Sequence, residues 1–251
     1  MTFEKPQKGN PYRLTIRQHT FPRASIARFA NTSGRIHVHK VGANRSFLAA
    51  PDNVLFCAKR VWDQRAEDGF ANKIERPFQG LANAIVDGTV SALGESEKKT
   101  LNLFFALCLI RAEWKTIRVP NHQIPGAVGL EYETGKDLQE KLEARHVICF
   151  GPDLTFPSRS SAGIVMQSRI NQLQNELSDT EWCILTAQKG EFVVADSFSS
   201  WRVIPISPVL CIAPGSNDGV ISEAQVACLN RQAVAISRDY YFARDLSRCP
   251  R

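Results

Sequence analysis

The sequence contains none of the short motifs that mark the commonest nucleotide-binding and hydrolytic enzymes. It has no G-x-x-x-x-G-K-[ST], no G-x-G-x-x-G, no H-E-x-x-H and no G-x-S-x-G. Those motifs build a phosphate loop, a dinucleotide site, a helical zinc site and a nucleophilic serine turn. Their absence argues against nucleotide-driven motors, dinucleotide oxidoreductases, zincins and typical serine hydrolases.

The chain also lacks a long apolar run. Its longest, residues 103–110, has eight residues, whereas a helix needs ~20 to cross a bilayer. The opening M-T-F-E-K-P-Q-K has none of the apolar stretch that a signal peptide requires. We therefore expect a soluble protein without a membrane partner.

Cysteine pairs at metal-binding or redox spacing are missing as well. None of the seven cysteines forms a C-x-x-C pair, and most lie inside apolar runs such as A-L-C-L-I and V-L-C-I-A. A cysteine in such a run behaves as a small buried hydrophobe. An odd number of buried thiols is typical of a reducing compartment, so we expect free cysteines and a cytoplasmic location.

Negative charge is nearly absent from the first fifth of the chain. Residues 1–50 hold nine Lys or Arg and one acid, a net charge of +8 in a protein whose total is +6. Such a basic region could attract nucleic acid or another phosphate-bearing substrate. A solvated face without a partner is the alternative. The candidate nucleic-acid-binding residues are Arg17, Arg23, Arg28 and Arg35.

Periodicity in the sequence predicts an α+β fold. Residues 34–41 alternate between apolar and polar side chains, which predicts a strand, and the turn after it predicts an N-terminal β-hairpin. Apolar residues at spacings of three and four predict a central layer of helices, with Pro77 dividing the first of them in two. The predicted helices cover residues 66–87, 95–119, 136–145 and 163–178.

The last third of the chain returns to strands. W-C-I-L-T-A, a turn at residues 188–190 and F-V-V-A-D predict a second hairpin. W-R-V-I-P-I and V-L-C-I-A-P add antiparallel strands, and a final helix covers residues 222–236. We predict a flexible terminus over residues 1–12 and a single α+β domain over residues 13–251.

Six short segments follow one another in an order that is shared with a bacterial family. They are H-T-F-P-R-A-S-I-A-R-F-A, G-R-I-H-V-H-K, P-D-N-V, I-E-R-P-F, L-C-L-I-R-A-E-W and F-V-V-A-D-S-F. From about residue 17 to residue 245 the chain resembles the family catalogued as domain of unknown function 4238. It departs at Asp196, where it reads A-D-S-F in place of the family's S-D-N-P or T-D-x-P. The resemblance implies a shared fold, directs attention to His19, Glu75, Arg111 and Asp196, and implies no activity.

Four residues are candidates for a catalytic site. His19 could be a general acid or base, because imidazole titrates near neutral pH; the alternative is a histidine that fixes the chain before Pro22. Asp196 ends an apolar strand, where a carboxylate can serve catalysis or metal binding, or cap the following turn. Arg111 and Glu75 lie on largely apolar helices, so a mutual salt bridge is the first explanation and phosphate binding by Arg111 the alternative.

Two histidines of the predicted hairpin could hold a metal ion only with further ligands. His37 and His39 point to one face of the strand, but no nearby spacing supplies the third ligand that a zinc site needs. We therefore expect no metal and no other cofactor.

Two classes of function remain. The first is a hydrolase or nuclease-type toxin or defence effector, in which His19 acts as acid or base with Asp196 as its partner. Arg111 would then meet the developing negative charge and Glu75 would orient it. The second is a non-catalytic module that binds nucleic acid or a protein through the basic N-terminal face.

Overall fold

A computed structural model describes residues 4–117, 120–123, 135–150, 154–198, 201–215 and 217–251. Within them the chain forms two four-stranded sheets, two two-stranded sheets and six α-helices, which confirms the predicted α+β fold. No helix in these ranges is both long enough and apolar enough to cross a membrane. The division into a terminus over residues 1–12 and a domain over residues 13–251 stays a prediction.

The helices are α1 (Arg23–Ala27), α2 (Ala71–Val86), α3 (Glu95–Thr116), α4 (Lys136–Glu143), α5 (Ser158–Glu176) and α6 (Glu223–Ile236). The strands are β1 (Arg17–His19), β2 (Ile36–Lys40), β3 (Arg45–Ala49), β4 (Cys57–Lys59), β5 (His122–Gln123), β6 (Thr155–Phe156), β7 (Trp182–Ala187), β8 (Val194–Ala195), β9 (Ile204–Pro205), β10 (Leu210–Pro214), β11 (Gly219–Ile221) and β12 (Tyr240–Ala243).

The predicted N-terminal hairpin forms one side of the first four-stranded sheet. β2 pairs antiparallel with β3, from Ile36 opposite Ala49 to Lys40 opposite Arg45. Ile36 and Val38 are buried, as the alternation predicts. β12 pairs antiparallel with the other edge of β2, and β8 with β12, which gives the order β3-β2-β12-β8. The C-terminal strand thus joins the sheet that the N-terminal hairpin begins.

The second four-stranded sheet corrects the prediction for the last third of the chain. β7 pairs antiparallel with β10 and parallel with β11, in a sheet of order β11-β7-β10-β9. F-V-V-A-D does not return beside β7, so the predicted second hairpin is wrong. Residues 192–195 are all buried, because the chain crosses here from one sheet to the other and β8 pairs with β12 instead.

α3 is the central helix of the fold. It begins at Glu95, as predicted, and ends at Thr116. Its buried residues lie on all sides of the helix, as the absence of a polar face predicts. α2 and α5 pack against it. Side chains that α3 carries at its C-terminal end, Arg111 among them, are thereby held between other elements.

Pro77 lies inside α2, so the prediction that it divides this helix is wrong. Pro77 and Lys73 are both exposed, so water can replace the hydrogen bond that the proline removes. Ile74 and Phe78 are buried in the main core and hold the two halves of the helix in line. A π-helical turn, Arg65–Phe70, leads into α2. Such turns change the direction of side chains and are frequent near functional sites.

All seven cysteines are free thiols, as predicted. Cys228 is exposed and Cys149 is partly exposed, whereas the other five are buried. Burial raises the pKa of the Cys211 thiol well above its ordinary value. The five buried cysteines therefore serve as small core residues.

Candidate functional site

His19 is held by a short two-stranded sheet and by the bend that follows it. β1 pairs antiparallel with β4 and places His19 directly opposite Cys57. The next residue bonds back to the same segment, because the Thr20 N–H donates to the Phe56 carbonyl at 3.0 Å. Pro22 then precedes the first turn of α1. The histidine is thus fixed at the edge of the core by backbone contacts on both sides.

The half-buried imidazole of His19 has a defined tautomer. Its Nε2 lies 3.3 Å from the Pro51 carbonyl oxygen. A carbonyl only accepts hydrogen bonds, so Nε2 carries the hydrogen and Nδ1 keeps its lone pair. Burial lowers the pKa of His19 below its ordinary value of 6.5, and the positive charges of Arg111 and Arg23 lower it further. The ring is therefore neutral at neutral pH and offers Nδ1 as a proton acceptor.

Glu75 and Arg111 form the ion pair that the sequence predicts. Arg111 Nη1 donates to Glu75 Oε1 at 2.7 Å. Arg111 Nη2 lies 3.5 Å from Glu67 Oε2, and that oxygen also accepts from Trp62 Nε1 at 2.5 Å. Only 2% of the Arg111 side chain is exposed. A buried guanidinium thus lies between two carboxylates.

The charges of this cluster reach His19. Burial alone would lower the pKa of Arg111, but Glu75 and Glu67 raise it above its ordinary value. Burial raises the pKa of Glu67, and the Arg111 charge and the Trp62 hydrogen bond oppose that rise. Arg111 lowers and Glu75 raises the pKa of His19. The charges of two other predicted catalytic residues, Arg111 and Glu75, therefore act on His19.

The carboxylate of Asp196 accepts hydrogen bonds from a turn. Its Oδ1 accepts from the Arg238 N–H at 2.8 Å, and its Oδ2 accepts from the N–H groups of Asp239 and Tyr240 at 2.8 and 3.2 Å. The sequence allowed for turn capping, but this turn lies 42 to 44 positions further along the chain. Burial raises the pKa of Asp196, and the three N–H groups and Lys115 oppose that rise. A catalytic role for Asp196 stays a prediction, and no step proposed below uses it.

Three of the four predicted nucleic-acid-binding arginines are exposed. Arg17 lies two residues before His19 on β1, and therefore on the same face of the strand. Arg23 opens α1, four residues after the histidine, and its charge acts on the His19 pKa. Arg35 is exposed just before β2. Two exposed guanidinium groups thus flank His19.

The guanidinium of Arg28 is only partly exposed and is hydrogen-bonded to neighbouring side chains. Its Nη2 donates to Gln79 Oε1 at 2.6 Å and to Asn83 Oδ1 at 3.0 Å, and its Nε donates to the same Asn83 oxygen. Burial lowers the pKa of Arg28. This arginine joins α1 to α2, so its contribution to a phosphate-binding face is smaller than the sequence suggests.

The two histidines of the hairpin are engaged with neighbouring side chains. His37 Nδ1 lies 3.8 Å from Asp245 Oδ1. His39 Nδ1 lies 3.0 Å from Ser46 Oγ, and its ring stacks on Tyr241 with 4.8 Å between the ring centres. In the part of the chain that the structure describes, no three His, Cys, Asp or Glu side chains are grouped so that they could hold a metal ion.

The sequence pattern did not point to Glu67, although this residue completes the Arg111 cluster. Glu67 lies in the π-helical turn, eight residues before Glu75. Eight residues are close to two helical turns, so two acids at this spacing lie on the same side of a helix. That spacing, beside a buried arginine on a neighbouring helix, is the signal that could have identified it.

No family model, no curated protein and no solved structure matches this chain. The function proposed below therefore rests on the geometry of the described residues and on the chemistry that they can perform.

Proposed function

We propose that the protein hydrolyses phosphodiester bonds as a nuclease-type enzyme and that His19 is its general base. The observation that carries this proposal is the half-buried imidazole of His19, whose Nε2 is bonded to the Pro51 carbonyl so that Nδ1 is the proton acceptor, flanked by the exposed Arg17 and Arg23. Exposed arginines bind a phosphate through parallel hydrogen bonds. An imidazole beside that phosphate can accept a proton at neutral pH. Such a cleavage is how a nuclease-type toxin or defence effector acts on nucleic acid.

The proposed reaction is the hydrolysis of a phosphodiester by a water molecule. The oxygen of a water molecule forms a bond to phosphorus while the bond between phosphorus and the departing sugar oxygen breaks. His19 Nδ1 takes a proton from the attacking water and later releases it to solvent, while the departing oxygen takes a proton from solvent water. Arg23 stabilises the negative charge that grows on the non-bridging oxygens. The products are a phosphate monoester and an alcohol.

Arg111 has a positioning role in this proposal. Its side chain is buried and bonded to Glu75. The exposed Arg23, and not Arg111, therefore stabilises the developing negative charge. The positive charge of Arg111 lowers the pKa of His19 and thereby favours the neutral, proton-accepting ring. Glu75 and Glu67 keep Arg111 charged and in place.

A cleavage assay tests the proposed activity. Fluorescein-labelled single-stranded RNA, single-stranded DNA and duplex DNA are incubated with the wild-type protein, with and without divalent cations. We expect cleavage of at least one substrate, and a kcat/KM about 100-fold lower for Arg23→Gln, because a charge-stabilising donor is lost. The matched control is Arg231→Gln, an exposed arginine on α6, for which we expect an unchanged kcat/KM. If folded wild-type protein leaves all three substrates intact, the hydrolase proposal is wrong.

The exposed arginines also favour a second candidate function, a nucleic-acid-binding module without catalysis. The dependence of duplex DNA affinity on salt tests whether this face contacts phosphate. We expect Arg17→Gln/Arg23→Gln to reduce the slope of log K against log salt by about 2, since each lost phosphate contact removes ~0.9. Fluorescence anisotropy between about 50 and 200 mM salt measures the slope.

Arg28→Gln provides the control for the salt experiment. It removes the same charge, but its guanidinium is bonded to Gln79 and Asn83, so we expect a slope close to that of wild type. An unchanged slope in Arg17→Gln/Arg23→Gln would show that the basic face does not contact phosphate. Salt-dependent binding without cleavage of any substrate would establish the second function in place of the first.

A further inference from the structure

Two buried arginines that the proposed reaction does not use meet at one carboxylate. Arg60 follows β4, and Arg159 lies in the first turn of α5. Arg60 Nη2 and Arg159 Nε each donate to Glu143 Oε2 at 2.8 Å. Only 1% and 6% of the two arginine side chains are exposed. Two buried cations that share a single carboxylate lower the stability of the folded protein unless further negative charge balances them.

Glu4 supplies the balancing charge. Its Oε2 accepts a hydrogen bond from Arg159 Nη1, and its Oε1 lies 3.8 Å from Arg60 Nη1. The Glu4 main-chain carbonyl accepts a further bond from Arg60 Nη1 at 3.0 Å. With Glu143 alone the two arginines would carry a net charge of +1, and Glu4 brings this sum to zero. One carboxylate oxygen faces each guanidinium, which is the arrangement of a bridging carboxylate ligand.

The chain around Arg60 is arranged to direct its side chain inward. The φ of Arg60 is 48°, in the left-handed region that a residue other than glycine seldom adopts. Strain of this kind persists only where surrounding contacts hold it, and it is frequent at ligand sites. Arg60 Nε has no hydrogen-bond partner among the described residues, so one buried donor remains for a ligand. The neighbouring Asp63 lies 3.8 Å from Arg65, and the charge of Arg159 also acts on it.

Glu4 has the character of a bound ligand more than that of a core residue. Its side chain is 46% exposed, although its two partners are buried. The residues after it are held by polar contacts, such as the Gln7 N–H to Glu140 Oε1 at 2.9 Å and the Tyr12 hydroxyl to Asp137 at 2.8 Å. Polar contacts exchange for water at a small net cost. The segment can therefore leave its place without removing apolar side chains from the core.

We propose that Arg60 and Arg159 form a carboxylate-binding site, that Glu4 fills it from within the same chain, and that a carboxylate supplied in trans competes for it. The site takes a planar carboxylate whose two oxygens face two different guanidinium groups. An acidic side chain of a peptide or a small carboxylic acid has this chemistry. Release of Glu4 would break the contacts of the N-terminal segment with Arg60 and Arg159 and leave those of Gln7 with Glu140 and of Tyr12 with Asp137.

The test uses Glu4→Gln in the full chain, with acetate as the probe. Glutamine keeps the length of the side chain but removes its charge, so we expect a melting temperature about 2–5 °C lower than that of wild type. Sodium acetate in place of sodium chloride, at constant ionic strength, should raise that temperature back toward the wild-type value. Wild-type protein, whose site holds Glu4, should respond much less.

Two further variants make the outcome decisive. Glu4→Asp keeps the charge on a side chain one methylene shorter, and we expect an acetate response between those of wild type and Glu4→Gln. Glu223→Gln removes the same charge from the exposed pair with Lys189 and should show no response. An equal effect of acetate on wild type, Glu4→Gln and Glu223→Gln would overturn the proposal. Stabilisation of Glu4→Gln by phosphate with none by acetate would overturn the assignment of the ligand as a carboxylate.

Discussion

Glu75→Ala is expected to lower the melting temperature by about 6–12 °C, or about 3 kcal/mol in a protein of this size. The substitution removes the 2.7 Å hydrogen bond to Arg111 and leaves Glu67, at 3.5 Å, as the nearest carboxylate to that buried guanidinium among the described residues. A buried charge that loses its closest partner cannot recover the interaction with water that it gave up on folding. Thermal unfolding followed by circular dichroism measures the change.

A second substitution separates the cost of a stranded charge from the cost of lost packing. Arg111→Met in the Glu75→Ala protein removes the buried charge and keeps much of the side-chain volume. We expect the double variant to melt at a higher temperature than Glu75→Ala alone. The control is Glu223→Ala, which breaks an exposed pair with Lys189 and should cost no more than about 1 kcal/mol. A double variant that melts below Glu75→Ala would contradict the buried-charge explanation.

His19→Asn is expected to lower kcat/KM for the cleaved oligonucleotide by about 100- to 10,000-fold, the range that a general base contributes. Asparagine retains a side-chain N–H donor but cannot accept a proton at neutral pH. Because His19 is only half-buried and its hydrogen bond to the Pro51 carbonyl is long, at 3.3 Å, we expect the melting temperature to stay within a few degrees of wild type. Initial rates and a thermal melt on the same preparation measure both quantities.

His39→Asn is the matched control for the histidine experiment. His39 is bonded to Ser46 and stacked on Tyr241, and it takes no part in the proposed chemistry, so cleavage should remain at the wild-type rate. If His19→Asn cleaves at the wild-type rate, His19 is not the general base. If its loss of activity only follows a loss of folded protein, the histidine fixes the chain before Pro22 and does no chemistry.

The hairpin of β2 and β3 and the central helix α3 could be predicted because each follows from a local pattern. Alternation along residues 36–40 places Ile36 and Val38 on one face, and that face is buried. The second hairpin could not be predicted in this way. Residues 192–195 are apolar on both faces, a pattern equally compatible with pairing beside β7 and with the crossing to β12 that occurs. The choice depends on strand partners that are distant in sequence.

The Glu75–Arg111 pair could be predicted because a buried charge needs a partner and both residues lie on largely apolar helices. The turn that Asp196 caps lies 42 to 44 residues away, so no local pattern identifies it. The same holds for Arg28, whose partners Gln79 and Asn83 are 51 and 55 residues away. Polar partners that depend on tertiary packing leave no periodic signal in the chain.

The pH dependence of kcat/KM tests most directly the central claim that neutral His19 accepts a proton. Burial lowers the pKa of His19 below 6.5, so the fraction of protein with a free Nδ1 lone pair grows as the pH rises through that lowered pKa. We expect wild-type kcat/KM to rise about tenfold per pH unit at the acid end, to level off by about pH 6.5 and to stay level to about pH 8. The residual activity of His19→Asn should lack this rise. A wild-type kcat/KM that is constant below pH 6.5, or that falls as the pH rises toward that value, would contradict the claim.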